Sequence, residues 1–329
     1  MQRQRIYIHR HGPRYRLYMD DANLAELASF ADLVCDGDRT DAMTAEELVG
    51  RIRGCSAILS FGGGGSHEIT PEVLRGTGSV RAICIAHWCG QLVDTAAAAG
   101  VPAIEGSNAN TVAVAELTLA AALMGIRQPH VFDRRMKAGS SWGEPRMGVG
   151  MLKGSVVGLV GLGRIGRYLA QLLRLMGAKV IAYDIGFSPE QANQLGIALV
   201  PLDELLRTSD VVSLHLPVTD QTRGLLGQRE FALLRDGCVF INSARAEIYD
   251  EPALVRELRS GRFSAFLDVF ALEPLPLEHP FRRLDNVVLT PHLAGDNLAM
   301  CRRCGSEAIA TLRDHFAGHG LRDRRYAFP

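Results

Sequence analysis

The chain has 329 residues, which is long enough for about two domains that each bury a core. Charged residues make up 22% of it, hydrophobic residues make up 47%, and the formal net charge is zero, so composition favours neither disorder nor electrostatic binding to nucleic acid. We therefore expect a globular protein whose partner is a small molecule.

Strand-like and helix-like segments alternate over the first hundred residues. In chain order they are Arg5–His9, Leu24–Phe30, Ala31–Cys35, Thr44–Arg51, Ala57–Ser60 and Val80–Ala86. This alternation predicts a parallel sheet with crossover helices. Gly62–Gly65 follows a short apolar strand and precedes the helix-start pattern Ile69–Glu72, so it is interpreted as a strand-end loop rather than a linker.

The middle of the chain contains a long helix pattern followed by an irregular segment. Asn110–Met124 is rich in small residues, a composition that suits both a bridge between domains and close packing against a second subunit. Ala138–Gly150 is predicted to be an irregular arm. No membrane span is predicted, because apolar runs such as Thr118–Met124 fall short of the roughly 20 residues that a membrane helix needs.

A second alternating series begins at Ser155. Its strand-like segments are Val156–Val160, Lys179–Tyr183, Val211–Leu216, Cys238–Ile241, Ala265–Leu267 and Val287–Leu289. Helical segments lie between most of them, which predicts a doubly wound parallel sheet. The expected fold class is therefore α/β with two Rossmann-like domains.

The N-terminus and the cysteines bear on the cellular compartment. Met1–Arg5 leads directly into the strand-like Ile6–Ile8, without the apolar stretch of a signal peptide. Seven cysteines, an odd number, suit reduced cytosolic thiols better than a disulfide framework, so a cytoplasmic protein is expected. Cys301 and Cys304 form a single CxxC in a helical stretch, which favours helix packing, and no metal is predicted.

A glycine-rich turn, Gly161–Gly166, follows the strand Val156–Val160 and opens the helix Arg164–Met176. The flanking strand and helix make this GxGxxG pattern typical of dinucleotide binding, whereas the alternative is a purely structural turn. The next strand ends at Asp184, whose carboxylate can accept hydrogen bonds from the adenosine ribose and would repel a 2′-phosphate. Residues 185–188 contain no Lys or Arg, so NAD is favoured over NADP.

Each position of the turn has a physical purpose in this interpretation. Gly161 permits the tight turn, Gly163 lets the backbone approach the phosphates, and Gly166 lets the helix and strand pack closely. The helix begins at Arg164 and Ile165, where unpaired N–H groups and the positive end of the dipole can face a pyrophosphate.

Three side chains downstream have the chemistry of binding or proton transfer. Arg245, Glu273 and His292 each follow one of the last three strand-like segments. Because the carboxyl ends of parallel strands share one edge of a sheet, where open α/β folds bind ligands, we expect them to converge. Taken singly, each also has a structural interpretation: a surface ion pair, a turn cap, and an imidazole satisfied by local backbone.

These segments resemble the motifs of the D-isomer-specific 2-hydroxyacid dehydrogenases. The matching segments are Val157–Gly166 for the cofactor turn, Phe240–Arg245 for the arginine motif, Leu267–Pro274 for the glutamate motif, Leu289–His292 for the histidine motif and Val114–Leu117 for the dimer-helix signature. They stand in family order over nearly the whole chain. The resemblance implies a homodimeric, NAD-dependent oxidoreductase that interconverts a 2-oxo acid and a D-2-hydroxy acid.

The resemblance also implies residue roles. His292 would donate the proton in the reducing direction, Glu273 would favour its imidazolium form, and Arg245 would bind the substrate carboxylate and polarise the reacting carbonyl. The implied cofactor contacts are Gly161, Gly163, Arg164, Ile165, Gly166, Asp184, His215, Pro217, Thr222, Ser243, Ala244, Asp268, Ala294 and Gly295. Among them, Asp268 is expected to position the nicotinamide amide.

The resemblance further implies a discontinuous, flavodoxin-like substrate domain, residues 1–110 and 296–329, with an NAD-binding Rossmann domain, 111–295, between its parts. His87-Trp88-Cys89-Gly90 stands where the family usually has a glycine-rich loop that helps to hold the substrate carboxylate, so these four residues are predicted to bind substrate. Two interpretations stay open: a pocket reshaped for an unusual substrate, and an altered loop that presents the same amides.

Histidines and arginines cluster where the first strand-like segment ends. His9 and His11 can share one face of a strand, although a solvated rim is favoured over a metal site. The nearby Arg10, Arg14 and Arg16 suggest a dianionic or phosphorylated substrate. Two other functions are also compatible with the scaffold: a non-catalytic, NAD-binding corepressor-like module, and a dehydrogenase of phosphite or a phosphonate.

Overall fold

The computed structural model describes residues 3–87, 89–139 and 150–318. The chain divides into two compact units, the first formed by residues 1–110 with 296–329 and the second by residues 111–295. Each unit is built around its own parallel sheet.

The first unit contains a five-stranded sheet. Its strands are β1 (Gln4–Ile8), β2 (Ala31–Cys35), β3 (Ala57–Ser60), β4 (Ala82–Ile85) and β5 (Ala103–Glu105). The accompanying helices are α1 (Tyr15–Tyr18), α2 (Asp21–Phe30), α3 (Ala45–Ile52), α4 (Pro71–Thr77) and α5 (Gly90–Ala99). All pairings are parallel in the order β2-β1-β3-β4-β5, which is the flavodoxin-like order. β3 and β4 are fully buried, as apolar strands covered on both faces must be.

The second unit contains a seven-stranded sheet. Its helices are α6 (Ala109–Arg127), of which all but the first two residues belong to this unit, α7 (Pro129–Lys137), α8 (Arg164–Leu175), α9 (Pro189–Gln194), α10 (Leu202–Thr208), α11 (Gln228–Leu233) and α12 (Glu251–Arg259). Its strands are β6 (Val156–Val160), β7 (Lys179–Tyr183), β8 (Ala198–Leu199), β9 (Val211–Leu214), β10 (Val239–Asn242), β11 (Ser264–Leu267) and β12 (Val287–Leu289). The parallel order is β12-β11-β10-β9-β6-β7-β8. The direction of winding changes at β6, so ligands are expected at its carboxyl end, and the predicted α/β class is confirmed.

Helix α6 packs against the sheet of the second unit. By length and composition it meets the requirements of a membrane span, with a mean hydropathy of 1.6. Its residues Ala115, Ala121 and Ala122 are nevertheless buried in the same core as Val157 and Val239. The small side chains therefore permit close packing of one face of the helix against the sheet.

The last described helix, α13 (Leu298–Phe316), belongs to the first unit. Gly305 lies so close to the carbonyl of Tyr18 that a side chain at this position would overlap it. Cys301 and Cys304 are 0% and 1% exposed, so the CxxC contributes to helix packing, as predicted. All seven cysteines are free thiols in the structure.

The structure contains several elements that the sequence did not predict, and these are mainly short or polar. Strand β5 has three residues and β8 has two, too few for a periodic pattern, and the polar helix α7 follows directly after α6. The long helix pattern extends to Arg127. Most of the predicted irregular arm, residues 140–149, lies outside the described residues.

Candidate active site

His292 and Glu273 form a hydrogen-bonded pair in the second unit. His292 follows β12 and Glu273 follows β11, and the two strands are neighbours in the sheet. The distance between His292 Nδ1 and Glu273 Oε2 is 2.7 Å, so the ring N–H donates to the carboxylate. The two side chains are 45% and 36% exposed, respectively. This contact leaves Nε2 of the imidazole for proton exchange with a bound molecule.

The environment of Glu273 favours its ionised form. Partial burial acts to raise the pKa of this carboxyl group, but the hydrogen bonds from His292 and from the amide of Phe270 lower it. The positive charges of His292 and Arg245 act in the same direction, and the pKa of Glu273 lies below its ordinary value of 4.5. The Phe270 amide donates to Oε1 over 2.9 Å, so both carboxylate oxygens are held. Glu273 is therefore a fixed negative charge beside the imidazole.

Arg245 presents a positive charge at the carboxyl end of β10. Its side chain is exposed, and Nη1 donates to the carbonyl of Ala244 over 2.7 Å. No carboxylate within the described parts of the chain forms an ion pair with it. The loop that carries it is closed by buried Asn242, whose Nδ2 donates to the Arg245 carbonyl and whose Oδ1 accepts from the Ala244 amide, both over 2.9 Å. The guanidinium is thus available for an anion.

Ser243 is anchored from helix α6. Thr118 Oγ1 donates to the carbonyl of Val114 over 2.7 Å, which leaves Ser243 Oγ as the donor in the 2.9 Å contact between the two hydroxyls. Thr118 is 1% exposed and Ser243 is 8% exposed. The backbone at 243–244, predicted to contact the cofactor, is therefore held from both sides. The sequence alone did not indicate Thr118.

A cavity of about 510 Å³ opens beside the histidine–glutamate pair. Its lining residues are Phe270, Glu273, Pro274, Leu275, Arg282, Leu289, Thr290, Pro291 and His292. Apart from Glu273, His292 and the guanidinium of Arg282, most of this surface is apolar. Arg282 is held by the carbonyls of Leu275 and Pro276 over 2.8 and 2.9 Å. Sequence reasoning missed Arg282 and Leu275 because only the folded loop brings them to the pair.

The glycine turn has the geometry that a dinucleotide requires. Gly161 has φ +107°, and a Cβ there would lie 2.8 Å from the carbonyl oxygen of His215. A Cβ at Gly166 would overlap the carbonyl oxygen of Gly161. At Gly163, by contrast, a Cβ would make only an ordinary van der Waals contact, with the carbonyl oxygen of His215 3.9 Å away, so the position has room for a ligand. Helix α8 begins directly after it at Arg164, with no side-chain cap from the described residues. The turn therefore fits a pyrophosphate.

The other predicted cofactor residues surround this turn. Asp184 Oδ2 accepts from the Leu162 amide over 2.6 Å and Oδ1 accepts from the Gly186 amide over 2.7 Å, so this carboxylate also braces the turn. His215 Nε2 is buried without a partner in the described structure, and burial lowers the pKa of His215 to about 4. A neutral ring with an unsatisfied nitrogen suits a cofactor contact.

Thr222 has a clear local function. Its Oγ1 donates to the carbonyl of Pro217 over 2.6 Å and accepts from the amide of Thr219 over 2.8 Å. The hydroxyl therefore holds the loop that follows β9, which is the loop that carries Pro217.

Arg167, which the sequence did not single out, lies over the ring of Phe187 at 5.2 Å and brings a cation to the segment after Asp184.

Asp268 is a fully buried member of the predicted site. It is 0% exposed and lies at the end of β11. Its Oδ1 accepts from Thr290 Oγ1 over 2.5 Å and from the Leu293 amide over 3.0 Å, and its Oδ2 accepts from the Ala294 amide over 3.0 Å. These partners are on the loop that carries His292. Gly295 follows as the last residue of this unit.

The predicted substrate residues at 87–90 belong to the first unit. His87 Nδ1 lies 3.3 Å from the hydroxyl of Tyr18, and Cys89 Sγ lies 3.8 Å from Ser66 Oγ. Gly90 is the first residue of α5. Trp88 lies outside the described residues. These contacts define the loop locally and leave its relation to a substrate as a prediction.

The histidines and arginines after β1 are engaged within the first unit. His9 is 1% exposed with Nε2 placed 3.0 Å from the carbonyl of Gly65, and β1 ends before it, so the two histidines do not share a strand face. Arg10 forms an ion pair with Glu68, and Arg14 forms one with Asp296. Both arginine charges are therefore compensated, which argues against a basic rim. The described residues contain no group of three or more potential metal ligands.

The chain is similar in sequence to a known protein family. Residues 119–294 match the family profile described as "D-isomer specific 2-hydroxyacid dehydrogenase, NAD binding domain". The chain is 38% identical over 232 residues to D-3-phosphoglycerate dehydrogenase of Mycobacterium bovis, covering 70% of this chain and 44% of that protein. It is 34% identical over 255 residues to D-3-phosphoglycerate dehydrogenase of Archaeoglobus fulgidus, covering 77% and 48%, respectively. The chain thus spans about half the length of these relatives.

The fold is also shared with a solved structure. The NAD-complexed D-isomer specific 2-hydroxyacid dehydrogenase of Lactobacillus delbrueckii ssp. bulgaricus superposes with a TM-score of 0.77 at 24% identity. The alignment covers 98% of this chain and 99% of that one. At this identity the similarity concerns the fold.

Proposed function

Because the chain belongs to the D-isomer-specific 2-hydroxyacid dehydrogenase family, we propose that it interconverts a small 2-oxo acid and the corresponding D-2-hydroxy acid with NAD(H). The proposal rests on one observation. Three groups stand at the carboxyl ends of neighbouring strands in the unit that contains the glycine turn: the available cation Arg245, and the pair His292 and Glu273 with its 2.7 Å contact. A cation and an imidazole with a carboxylate partner are the groups that carbonyl reduction requires.

In the reducing direction, NADH held by the glycine turn Gly161–Gly166 would supply the hydride for C2 of the substrate. His292 donates its Nε2 proton to the carbonyl oxygen, so that C=O becomes CH–OH and the imidazole is left neutral. Glu273 accepts from Nδ1 throughout, which orients the ring and stabilises the imidazolium that precedes transfer. Arg245 donates to the substrate carboxylate and stabilises negative charge that develops on the reacting oxygen. Oxidation reverses each step.

The remaining assignments extend this proposal. The second unit binds the cofactor, and NAD is preferred to NADP because the Asp184 carboxylate would repel a 2′-phosphate. The first unit is the substrate domain, in which residues 87–90 help to select the acid. The family motif on α6 supports a homodimer, and the free cysteines suit the cytoplasm.

The test is oxidation of NADH with a panel of 2-oxo acids. We expect wild type to turn over at least one acid, His292→Gln to lose about 10²–10⁴-fold in kcat by losing general acid catalysis, and Arg245→Ala to lose mainly kcat/KM. A matched control is His279→Gln, because His279 forms a second histidine–carboxylate pair, with Glu251 at 2.9 Å, outside the proposed site. This variant should keep wild-type activity.

Three outcomes would contradict the proposal. If wild type binds NADH but reduces none of the acids, a non-catalytic NAD-binding module is favoured. If NAD⁺ is reduced with phosphite or a phosphonate but not with 2-hydroxy acids, the electron donor has been wrongly assigned. Equal losses in His292→Gln and His279→Gln would show that both act through the fold.

A further inference from the structure

The backbone of His292 adopts a conformation that its surroundings must impose. Its φ is +52°, in the left-handed region that residues with a Cβ rarely occupy. Its amide donates to the carbonyl of Asp268 over 2.8 Å and to that of Thr290 over 3.0 Å. This turn directs the imidazole towards Glu273. The position of the proton donor therefore depends on what holds the turn.

The side chain of Asp268 also stabilises this turn by hydrogen bonds. Its carboxylate accepts from a hydroxyl and two amides at Thr290, Leu293 and Ala294, which lie on both sides of His292 in the chain. Its own amide donates to the carbonyl of Asn242 over 3.0 Å, which ties it to the strand that ends in the Arg245 loop. A carboxylate that is 0% exposed is stabilised by such donors, and it fixes them in return.

We propose that Asp268 is a positioning residue: its carboxylate clamps the turn 290–294 and so holds His292 against Glu273. This inference rests on the proposed function for its catalytic consequence. It differs from the nicotinamide contact expected for Asp268, because three of the roughly four acceptor directions of the carboxylate are occupied by protein donors. The clamp belongs to the protein itself and acts before any cofactor arrives.

The hydrogen-bond pattern defines two informative substitutions. In Asp268→Asn, one carboxylate oxygen becomes an N–H donor that faces either the Ala294 amide or the Leu293 amide and Thr290 hydroxyl, so the clamp cannot be reproduced. Thr290→Val removes one of the three bonds with little change in shape. Thr290→Ser keeps the hydroxyl and is its matched control.

The first readout is kinetic. We expect Asp268→Asn to lower kcat at saturating NADH by about 10²-fold, the cost of misplacing a catalytic group by about 1 Å. Thr290→Val should lower kcat by about tenfold, and Thr290→Ser should restore it. A raised Kd for NADH with unchanged kcat at saturation in Asp268→Asn would make it a cofactor contact and overturn the clamp. If that variant does not fold, the Thr290 pair decides.

The second readout does not require turnover. Amide hydrogen exchange of the peptide containing residues 290–294 should accelerate in Thr290→Val and Asp268→Asn but not in Thr290→Ser, while exchange in β6 stays unchanged. Unchanged exchange at 290–294 in both altered variants would refute the clamp even if wild type reduced no 2-oxo acid. Failure of the clamp and failure of the proposed activity are thereby distinguished.

Discussion

Gly163 and Gly166 lie in the same turn, yet a methyl group at each should change a different property. At Gly166 it should lower the stability of the fold, and at Gly163 it should weaken the binding of the cofactor. A Cβ at Gly166 would overlap the carbonyl oxygen of Gly161, whereas a Cβ at Gly163 would have its nearest neighbour 3.9 Å away. The first substitution therefore tests the packing of the fold, and the second tests the approach of a ligand. Each variant is the control for the other.

Gly166→Ala should destabilise the second unit. The overlap is with backbone rather than with a flexible side chain, so the helix or the turn must move. Overpacking of this kind costs about 2 kcal/mol. For a unit of this size the melting temperature falls by about 2–4 °C per kcal/mol, which gives a decrease of about 4–8 °C.

Gly163→Ala should leave the free protein almost unchanged. The φ of Gly163 is −59°, which alanine tolerates, and the weaker capping by alanine is offset by the reduced entropy of the unfolded chain. The added methyl would occupy the space through which a phosphate approaches the backbone. Loss of one charge-assisted hydrogen bond costs about 1.5–3 kcal/mol, so the affinity for NADH should fall by about 10- to 100-fold.

The assay combines thermal melting with titration of NADH fluorescence. Gly166→Ala should melt at a lower temperature, whereas Gly163→Ala should melt like wild type and lose the stabilisation that added NADH provides. Wild-type NADH affinity in Gly163→Ala would refute the assignment of the turn to the pyrophosphate. An unchanged melting temperature in Gly166→Ala would refute the packing argument.

Two other predictions concern Asp184 and Glu273. Asp184→Ala should raise the ratio of kcat/KM for NADPH to that for NADH, and an unchanged ratio would contradict a role in cofactor choice. Glu273→Gln should lower kcat, because the ring of His292 loses the charged carboxylate that orients it for proton transfer. Since the pKa of Glu273 is lowered from 4.5, the ionised carboxylate stabilises the fold above that pH, and this contribution is lost as pH falls through the lowered pKa. The melting advantage of wild type over Glu273→Gln should therefore disappear in acid.

Much of the fold follows from local patterns. β2, β3, β6, β7 and β12 have the bounds that the sequence predicted. Of these, β3 and β6 are almost wholly buried, and strands covered on both faces are continuous apolar runs. β5 and β8 were missed because two or three residues carry no periodicity. Proximity of Arg245, Glu273 and His292 was predictable, since each follows a strand of one parallel sheet. Their roles in catalysis stay predictions.

Residue type, local periodicity and order along the chain are enough to specify the α/β class, the glycine turn and the candidate chemistry of the site. How those residues are used depends on the folded chain. Folding pairs His292 with Glu273 and buries Asp268 beneath the histidine turn. It also engages Arg14 with Asp296, while Arg245 keeps an available charge. Hydrogen bonds and ion pairs between distant segments depend on three-dimensional proximity, which no local pattern contains.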